Sequence, residues 1–222
     1  MKQYKQFKGL YTIEGKKSIY TKSLAPGKNV YNEKIVKHNN EEYREFNPRK
    51  SKLCAGLIKG ISQIGIKPNS IVLYLGASTG TTVSHVSDIV GNDGFVFALD
   101  FAPRVVRELV FLCEERNNIA PLLENAFHPK RYLDKISLVD VIFQDIAQRN
   151  QVEIFLRNVN LFLQKDGFGI LCIKARSIDV TKKPKTIFKE IRFELEKYIT
   201  IVDYKELDPF EKDHCIFVIK KK

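Results

Sequence analysis

The sequence lacks closely spaced cysteines. Its four cysteines, Cys54, Cys113, Cys172 and Cys215, lie far apart and form no CxxC pair, which argues against a zinc ribbon or a redox dithiol. Each lies in an apolar run, which is typical of a buried thiol in a reducing compartment. We therefore expect no disulfide framework and no cysteine-based metal site.

Secretory and membrane signals are also missing. Met1 is followed by a polar, lysine-rich stretch with no apolar core, so no signal peptide is expected. No apolar run approaches the roughly 20 residues of a membrane span. These features predict a cytoplasmic protein without a membrane partner. The 222 residues leave room for one large domain, or for one domain with a small addition.

Acidic residues are few relative to basic ones. The 37 Lys and Arg residues exceed the 26 Asp and Glu residues, which gives a formal net charge of +11. Such an excess is expected for a protein that binds nucleic acid. A lysine-rich proteome would produce the same balance, so the charge leaves both interpretations open. The hydrophobic fraction of 44% excludes a disordered or collagen-like chain.

Two regions of different pattern follow one another along the chain. Residues 1–48 are rich in Lys, Tyr, Asn and Gly, with turns predicted at 14–17 and 25–27, and they predict a small antiparallel β domain. Pro48 closes this region, because the residue before a proline is kept out of the helical conformation. Residues 49–222 alternate helical and strand-like patterns, which predicts an α/β domain with a mostly parallel sheet.

The α/β pattern can be assigned element by element. Predicted strands are 71–75, 95–99, 120–123, 139–143, 168–174, 199–207 and 215–220, and predicted helices are 51–64, 81–90, one that opens at Pro103, 152–162 and 186–198. In the helix after Pro103, one apolar face is expected to hold Val106, Leu109, Val110 and Cys113. Two consecutive strands at the end allow an antiparallel edge pair.

Residues that follow the strands carry the functional signal, because ligands of open α/β sheets bind beyond the carboxyl ends of the strands. A loop with Gly76, Ala77 and Gly80 follows one strand, and Asp100 follows the next. A carboxylate there can accept hydrogen bonds from ribose hydroxyls. The loop is not GxGxxG, which weakens a dinucleotide interpretation and favours an adenosine cofactor without phosphate, such as S-adenosylmethionine.

Two further charged residues end neighbouring strands. Asp145 follows one strand and Lys174 ends another. Each alone would more often be a solvated surface residue. Side by side at a cofactor cleft, they could position and activate a hydroxyl nucleophile.

Five segments together resemble the fibrillarin family, in order and at the family's spacing. They are LYLGASTGTTVSHVSD (73–88), PRVVREL (103–109), DIAQ (145–148), IKARSIDVT (173–181) and EKDH (211–214). The likeness runs from about Tyr43 to the C-terminus. The sequence resembles archaeal members of the family more than eukaryotic ones, because it lacks the Gly/Arg-rich N-terminal tail of eukaryotic fibrillarins.

The resemblance implies a Rossmann-like methyltransferase that uses S-adenosylmethionine to methylate ribose 2′-hydroxyls in rRNA or tRNA. It also implies a box C/D ribonucleoprotein with a guide RNA, a Nop-family scaffold protein and a kink-turn-binding ribosomal-type protein. The catalytic set that it implies is Lys52, Asp145, Lys174 and His214. The cofactor contacts are Thr81, Thr82, Asp100, Phe101, Asn125, Ala126 and the segment Asp145, Ile146, Ala147 and Gln148, together with the Gly76 and Ala77 turn.

The sequence departs from the family at two positions. Asp100 stands where Glu is more common, and Asn125 stands where Asp is frequent. Both could alter cofactor affinity. The expected phosphate-contacting segment follows Lys174, with basic side chains at Arg176, Lys182, Lys183 and Lys185, although a charged loop is as often only solvated.

Several alternatives stay open at this stage. Lys174 could take the hydroxyl proton as a neutral amine or orient the hydroxyl as a cation, and no metal would be needed in either case. His214 could relay a proton, contact RNA or be structural. The chain could also be a catalytically inactive assembly module of an RNA particle, or a methyltransferase that acts alone on small molecules.

Overall fold

A small antiparallel sheet opens the chain. The computed structural model describes residues 1–221. The strands of this sheet are β1 (Lys2–Gln3), β2 (Leu10–Thr12), β3 (Ile19–Lys22), β4 (Ile35–His38) and β5 (Glu41–Phe46). Their order is β1-β2-β3-β5-β4, and every neighbouring pair is antiparallel. The predicted N-terminal β unit is therefore present.

A seven-stranded sheet forms the centre of the rest of the chain. Its strands are β6 (Ile71–Leu75), β7 (Phe95–Asp100), β8 (Ile119–Leu123), β9 (Val139–Gln144), β10 (Leu163–Lys174), β11 (Thr200–Glu206) and β12 (His214–Lys220). The order is β11-β12-β10-β9-β6-β7-β8, and only the pairings of β12 with its two neighbours are antiparallel. The fold is therefore the expected Rossmann-like α/β architecture with an antiparallel edge pair.

Helices cover both faces of this sheet. They are α1 (Lys52–Ile58), α2 (Thr81–Val90), α3 (Pro103–Glu114), α4 (Gln151–Phe162), α5 (Ala175–Ile178) and α6 (Pro184–Glu196). The buried apolar residues form two clusters, one containing Leu53, Val86 and Leu109 and the other containing Phe155, Phe162 and Ile187. Such burial on both faces explains why the central strands read as continuous apolar runs.

The order of the strands reverses between β6 and β9. From β6 the chain proceeds to β7 and β8 on one side, and from β9 to β10 on the other. A crevice opens at such a switch point, outside the carboxyl ends of the strands. The loops that begin at Gly76 and Asp145 both enter it.

Two details of the predicted helices were wrong. The helix expected over 51–64 ends at Ile58, because Gly60 adopts a left-handed φ of +76° that no helix can continue. In α3, Val110 is 40% exposed and Cys113 is only partly buried, while Val106 and Leu109 are buried as expected. The other three cysteines are buried, and all four are free thiols.

The predicted boundary between residues 48 and 49 lies in the connection between β5 and α1. The division into two domains, 1–48 and 49–222, stays a prediction. Within residues 1–221, no helix is both long enough and apolar enough to cross a membrane.

A buried ionic network joins the small sheet to α2. Arg44 of β5, fully buried, donates from Nε to Glu33 at 2.6 Å, from Nη1 to Asp88 at 2.8 Å and from Nη2 to the Ser84 hydroxyl at 2.8 Å. Arg116 donates to the other carboxylate oxygen of Asp88 at 2.6 Å. The sheet and the helix are therefore held together by charges that cannot reach solvent.

Replacing Arg44 should destabilise the fold. Arg44→Met leaves Glu33 buried without its cation, and breaking a buried pair in this way costs about 3–5 kcal/mol. Urea unfolding measures the loss. The matched control is Lys22→Met, which removes an exposed pair with Glu41 at 2.8 Å and should cost less than about 1 kcal/mol. Equal losses in the two variants would contradict the importance of the buried network.

Candidate active site

The turn after β6 brings the backbone of β6 and β9 into contact. Gly76 has φ +84°, and a Cβ there would lie 2.3 Å from the carbonyl oxygen of Asp145. The Asp145 N–H donates to the carbonyl of Leu75 at 2.9 Å, and the Gly76 N–H donates to the carbonyl of Leu99 at 2.9 Å. A side chain at position 76 would collide with the backbone of Asp145, so glycine is needed here for the packing of the protein itself. The sequence had suggested that glycine lets a ligand approach the backbone.

Asp100 is fixed by two backbone amides. Its Oδ2 accepts from the Ser78 N–H at 2.9 Å, and its Oδ1 accepts from the Ala102 N–H at 3.1 Å. Ser78 adopts φ +50°, a left-handed conformation that points its N–H at this carboxylate. Each carboxylate oxygen keeps another lone pair for a ligand hydroxyl.

A first pocket of about 230 Å³ lies between Asp100 and the loop after β8. Asn125 lines it, and its Oδ1 accepts a hydrogen bond from the Phe127 N–H at 2.9 Å. This hydrogen bond uses the oxygen of the side-chain amide and not its Nδ2 donors. Phe101 lies at the pocket with 62% of its surface exposed. The lining residues are Gly76, Ser78, Leu99, Asp100, Phe101, Glu124, Asn125, Ala126, Asp145, Ile146, Ala147, Gln148 and Ile154.

A second pocket of about 410 Å³ shares a wall with the first. Gly76, Ser78, Asp145 and Ala147 line both pockets. The lining residues of the second pocket are Lys50, Lys52, Tyr74, Gly76, Ala77, Ser78, Thr81, Thr82, Asp145, Ala147, Lys174, Glu211 and His214. All twelve predicted cofactor residues thus line one pocket or both, and all four predicted catalytic residues line the second.

Lys52 and Asp145 form an ion pair across the second pocket. The Nζ atom lies 2.9 Å from Asp145 Oδ2, and the side chains are 18% and 26% exposed. Burial alone would lower the pKa of Lys52, but the Asp145 carboxylate outweighs it and holds that pKa above its ordinary value. Lys52 is therefore a cation at neutral pH.

Lys174 differs from Lys52 in its surroundings. It ends β10, three residues beyond the last position that pairs with β9, and it is exposed. Within residues 1–221, its Nζ makes no hydrogen bond or ion pair. The amine therefore keeps all its hydrogen-bonding capacity for a molecule in the pocket.

His214 lies opposite Lys174 in the register of β10 and β12. Its Nδ1 lies 2.6 Å from the carbonyl oxygen of Lys212, which can only accept, so Nδ1 carries the proton. Burial lowers the pKa of His214, and the Lys52 cation lowers it further. Together they outweigh the hydrogen bond to the Lys212 carbonyl and the carboxylates of Glu211 and Asp145, which raise it. The ring is neutral at pH 7, with Nε2 as an acceptor.

The four predicted RNA-binding residues lie together beyond Lys174. Arg176 of α5 donates to Asp213 at 3.0 Å, and Lys182 donates to Glu190 at 2.8 Å. Lys183 and Lys185 are exposed at the start of α6. Two of the four are thus already engaged by carboxylates on the surface.

The sequence did not single out several residues that support this site. Ser51 caps α1 and accepts from the Thr82 hydroxyl at 3.0 Å, while Tyr74 and Glu211 line the second pocket. A serine immediately before an apolar run, as at Ser51, is a signal for a helix N-cap that could have identified this residue. No local pattern in the sequence identifies Tyr74 as a site residue, because a tyrosine inside an apolar strand is normally predicted to belong to the hydrophobic core.

The shape and chemistry of the two pockets fit S-adenosylmethionine. Fixed carboxylate oxygens of Asp100 suit ribose hydroxyls, and no Lys or Arg among residues 1–221 lines the first pocket, which suits a nucleoside without phosphate. The N-terminus of α2 at Thr81 suits a carboxylate. Within residues 1–221, no group of His, Cys, Asp and Glu could hold a metal ion. The fold and the cleft are those of the S-adenosylmethionine-dependent methyltransferases.

Comparison with known proteins narrows this class to one family. A family model described as Fibrillarin matches residues 1–222. The chain belongs to the fibrillarin family. It is 49% identical over 219 residues to the fibrillarin-like rRNA/tRNA 2′-O-methyltransferase of Thermococcus onnurineus, with 97% of each chain covered.

Two solved structures are also similar to the chain. The Aeropyrum pernix fibrillarin in complex with natively bound S-adenosyl-L-methionine has a TM-score of 0.90 and 40% identity, over 98% of this chain and 96% of that one. The fibrillarin of a fibrillarin/Nop5p complex has a TM-score of 0.88 and 37% identity, over all of both chains. The likeness therefore extends through the small sheet as well as the large one.

The protonation state of His214 can be tested directly. We expect its ring to titrate below 6.5, and Lys52→Met should raise the midpoint, because one nearby cation is removed. Since the folded pKa is the lower one, the contribution of His214 to stability is present above the unfolded pKa and is lost as the pH falls. Nitrogen-detected NMR gives the titration. An unmoved His214 midpoint would contradict the coupling.

Proposed function

We propose that this protein methylates ribose 2′-hydroxyls of rRNA and tRNA with S-adenosylmethionine, as the catalytic subunit of a guide-RNA-directed box C/D ribonucleoprotein. The observation that carries this proposal is the shared wall of the two pockets. It sets a pocket that holds Asp100, and that no Lys or Arg among residues 1–221 lines, directly beside a pocket with an unpaired amine, Lys174, and a neutral imidazole, His214. The names of the family relatives support the same activity.

Four groups of residues would hold the cofactor. Asp100 would accept hydrogen bonds from the ribose hydroxyls, and Asn125, Ala126 and Phe101 would line the site of the base. The segment from Asp145 to Gln148 forms the wall shared by both pockets. Thr81 and Thr82, at the N-terminus of α2, would offer their backbone N–H groups to the carboxylate of the cofactor. When bound, S-adenosylmethionine supplies a methyl group that its sulfonium charge has already activated.

The remaining task for this chain is to prepare a ribose hydroxyl, which is a very weak acid. Lys174 has an unpaired amine in the second pocket and would contact the 2′-oxygen, either as base or as orienting cation. Asp145 holds Lys52 in place as a cation, so Lys52 would contribute a positive charge and would not abstract the proton. Nε2 of His214 is available in the same pocket to accept the proton.

The RNA and protein partners belong to the same proposal. The basic segment with Arg176, Lys182, Lys183 and Lys185 would contact phosphates, which gives affinity without sequence selection. Selection of the nucleotide would then come from base pairing between guide and target. A Nop-family scaffold is supported by the similar chain in a fibrillarin/Nop5p complex, and a kink-turn-binding protein would complete the particle in the cytoplasm.

One assay separates this function from the two alternatives. Labelled S-adenosylmethionine is offered to total RNA and to a metabolite extract, with and without a reconstituted scaffold, kink-turn protein and guide RNA. The proposal expects label in RNA, dependent on the guide. Label in small molecules would instead identify a methyltransferase that acts alone, and no label with bound cofactor would identify an inactive assembly module.

Asp100 should carry part of the cofactor affinity. Asp100→Ala removes one or two hydrogen bonds to a charged group, each worth roughly 1.5–3 kcal/mol. Isothermal titration with S-adenosylmethionine measures the loss. Asp93→Ala, at an exposed turn before β7, is the control and should bind like the wild type. Unchanged affinity in Asp100→Ala would remove Asp100 from the ribose site.

Lys174 should be needed for the rate and not for cofactor binding. Lys174→Ala in the reconstituted particle should lower the methylation rate by about 10²–10⁴-fold, the usual range for acid–base groups. Affinity for S-adenosylmethionine should change little. Asp145→Ala should lower both the methylation rate and the affinity for S-adenosylmethionine. The rate loss of the double variant should be smaller than the two single losses combined, because the two residues act together.

A lysine at the opposite end of the same strand provides the control. Lys165 is exposed near the start of β10, and Lys165→Ala should methylate at the wild-type rate. Near-normal methylation by Lys174→Ala would contradict the role given to Lys174. A pH–rate profile of the wild type then distinguishes base from orienting cation.

A further inference from the structure

The hydrogen-bond ladder between β9 and β10 stops before it reaches the active-site residues. The last paired positions are Gln144 and Leu171, so Lys174 lies three residues beyond the end of the ladder. On this side, the backbone of Lys174 faces no strand. Another group has to satisfy its N–H and C=O and fix its distance from the Asp145 segment.

Gln151 fills this position. It is the first residue of α4 and has no exposed surface. Its Oε1 accepts from the backbone N–H of Lys174 at 3.3 Å, and its Nε2 lies 3.5 Å from the Lys174 carbonyl oxygen. The same Nε2 donates to the Gln148 carbonyl at 2.6 Å. One side-chain amide therefore contacts the backbone of Lys174 on both polar groups and also the last residue of the proposed cofactor segment.

The amide of Gln151 is itself held in place. Gln144, fully buried at the end of β9, donates from Nε2 to the backbone carbonyl of Gln151 at 2.7 Å. The start of α4 is thereby tied to the strand that carries Asp145. The contacts therefore connect the end of β9, the start of α4, the Gln148 carbonyl and the end of β10.

We infer that Gln151 is a positioning residue, which holds the Lys174 amine in register with the cofactor segment by replacing the missing end of the β9–β10 ladder. Only a side chain with one acceptor and one donor at this length can serve both strand ends. Asn is a methylene too short, and Met has the length without the hydrogen bonds. The kinetic part of this inference rests on the proposed methyltransferase function.

The first test uses Gln151→Met in the reconstituted particle, at a temperature where folding is complete by circular dichroism. The single-turnover rate at saturating cofactor should fall roughly 10–100-fold, because small displacements of reacting groups have effects of this size. Affinity for S-adenosylmethionine, measured by titration, should weaken by several-fold. Amide hydrogen exchange at Lys174 should accelerate by at least about tenfold relative to Cys172 in the same strand.

The matched control is a buried amide away from the site. Asn118 is 5% exposed and bonds Ser87 and Gly91 at the far end of α2. Asn118→Leu should lower the melting temperature as much as Gln151→Met does, yet leave the rate and the affinity of the folded protein unchanged. If Gln151→Met shows only the same loss of stability, Gln151 is purely structural and the inference is wrong.

The second test keeps the size of the side chain. A protonated Glu has one donor and one acceptor, whereas an ionised Glu has no donor for the Gln148 and Lys174 carbonyls. Burial raises the pKa of such a carboxyl. Gln151→Glu should therefore methylate near the wild-type rate at low pH and lose activity as the pH rises, with a break that the wild type does not show. Superimposable pH–rate profiles would overturn the inference even where Gln151→Met fails to fold.

Failure of the proposed function would look different. If the wild-type particle transfers no methyl group, the function is wrong, while amide exchange and cofactor titration still report on Gln151. If the wild type is active and the variants match it in all three measurements, the function stands and the positioning role is rejected.

Discussion

The buried carboxylate of Asp88 is the interaction on which the rest of the structure depends. It accepts from Arg44 at 2.8 Å, from Arg116 at 2.6 Å, from the Thr21 hydroxyl at 2.8 Å and from the Leu24 N–H at 3.0 Å. These partners come from the small sheet, the loop that follows β3 and the turn after α3. Because a buried charge is tolerated only with its partners, all these elements have to meet on α2.

From α2 the constraint passes to the chemistry. The first turn of α2 lies at the cleft, and the Thr82 hydroxyl donates to Ser51, whose own hydroxyl caps α1. The first residue of α1 is Lys52, which reaches Asp145 across the second pocket. The small sheet therefore influences the active site indirectly. Its attachment to α2 helps to fix the start of α1 and, with it, the position of the Lys52 cation.

Local patterns in the sequence predicted the parts of the fold that local physics controls. The bounds of β6 and α2 agree with the prediction, and Asp145 and Lys174, which follow parallel strands, line the same pocket. The buried charges could not be found in this way, because Arg44 and Asp88 belong to residue types that are normally exposed. Gln151 was missed for a related reason, since its role depends on where a strand pairing stops.

The distribution of charge around Asp145 explains how one cleft can serve both proposed ligands. Asp145 is the carboxylate common to the two pockets. The first has no Lys or Arg lining it among residues 1–221, and the second is lined by Lys50, Lys52 and Lys174. A sulfonium cation placed beside two ammonium groups would be repelled unless an anion stood between them. The ion pair with Lys52 keeps Asp145 at that position, and the neutral ring of His214 adds no further positive charge. Of Lys52 and Lys174, only Lys52 is paired with Asp145, so the proposed mechanism gives the two lysines different tasks.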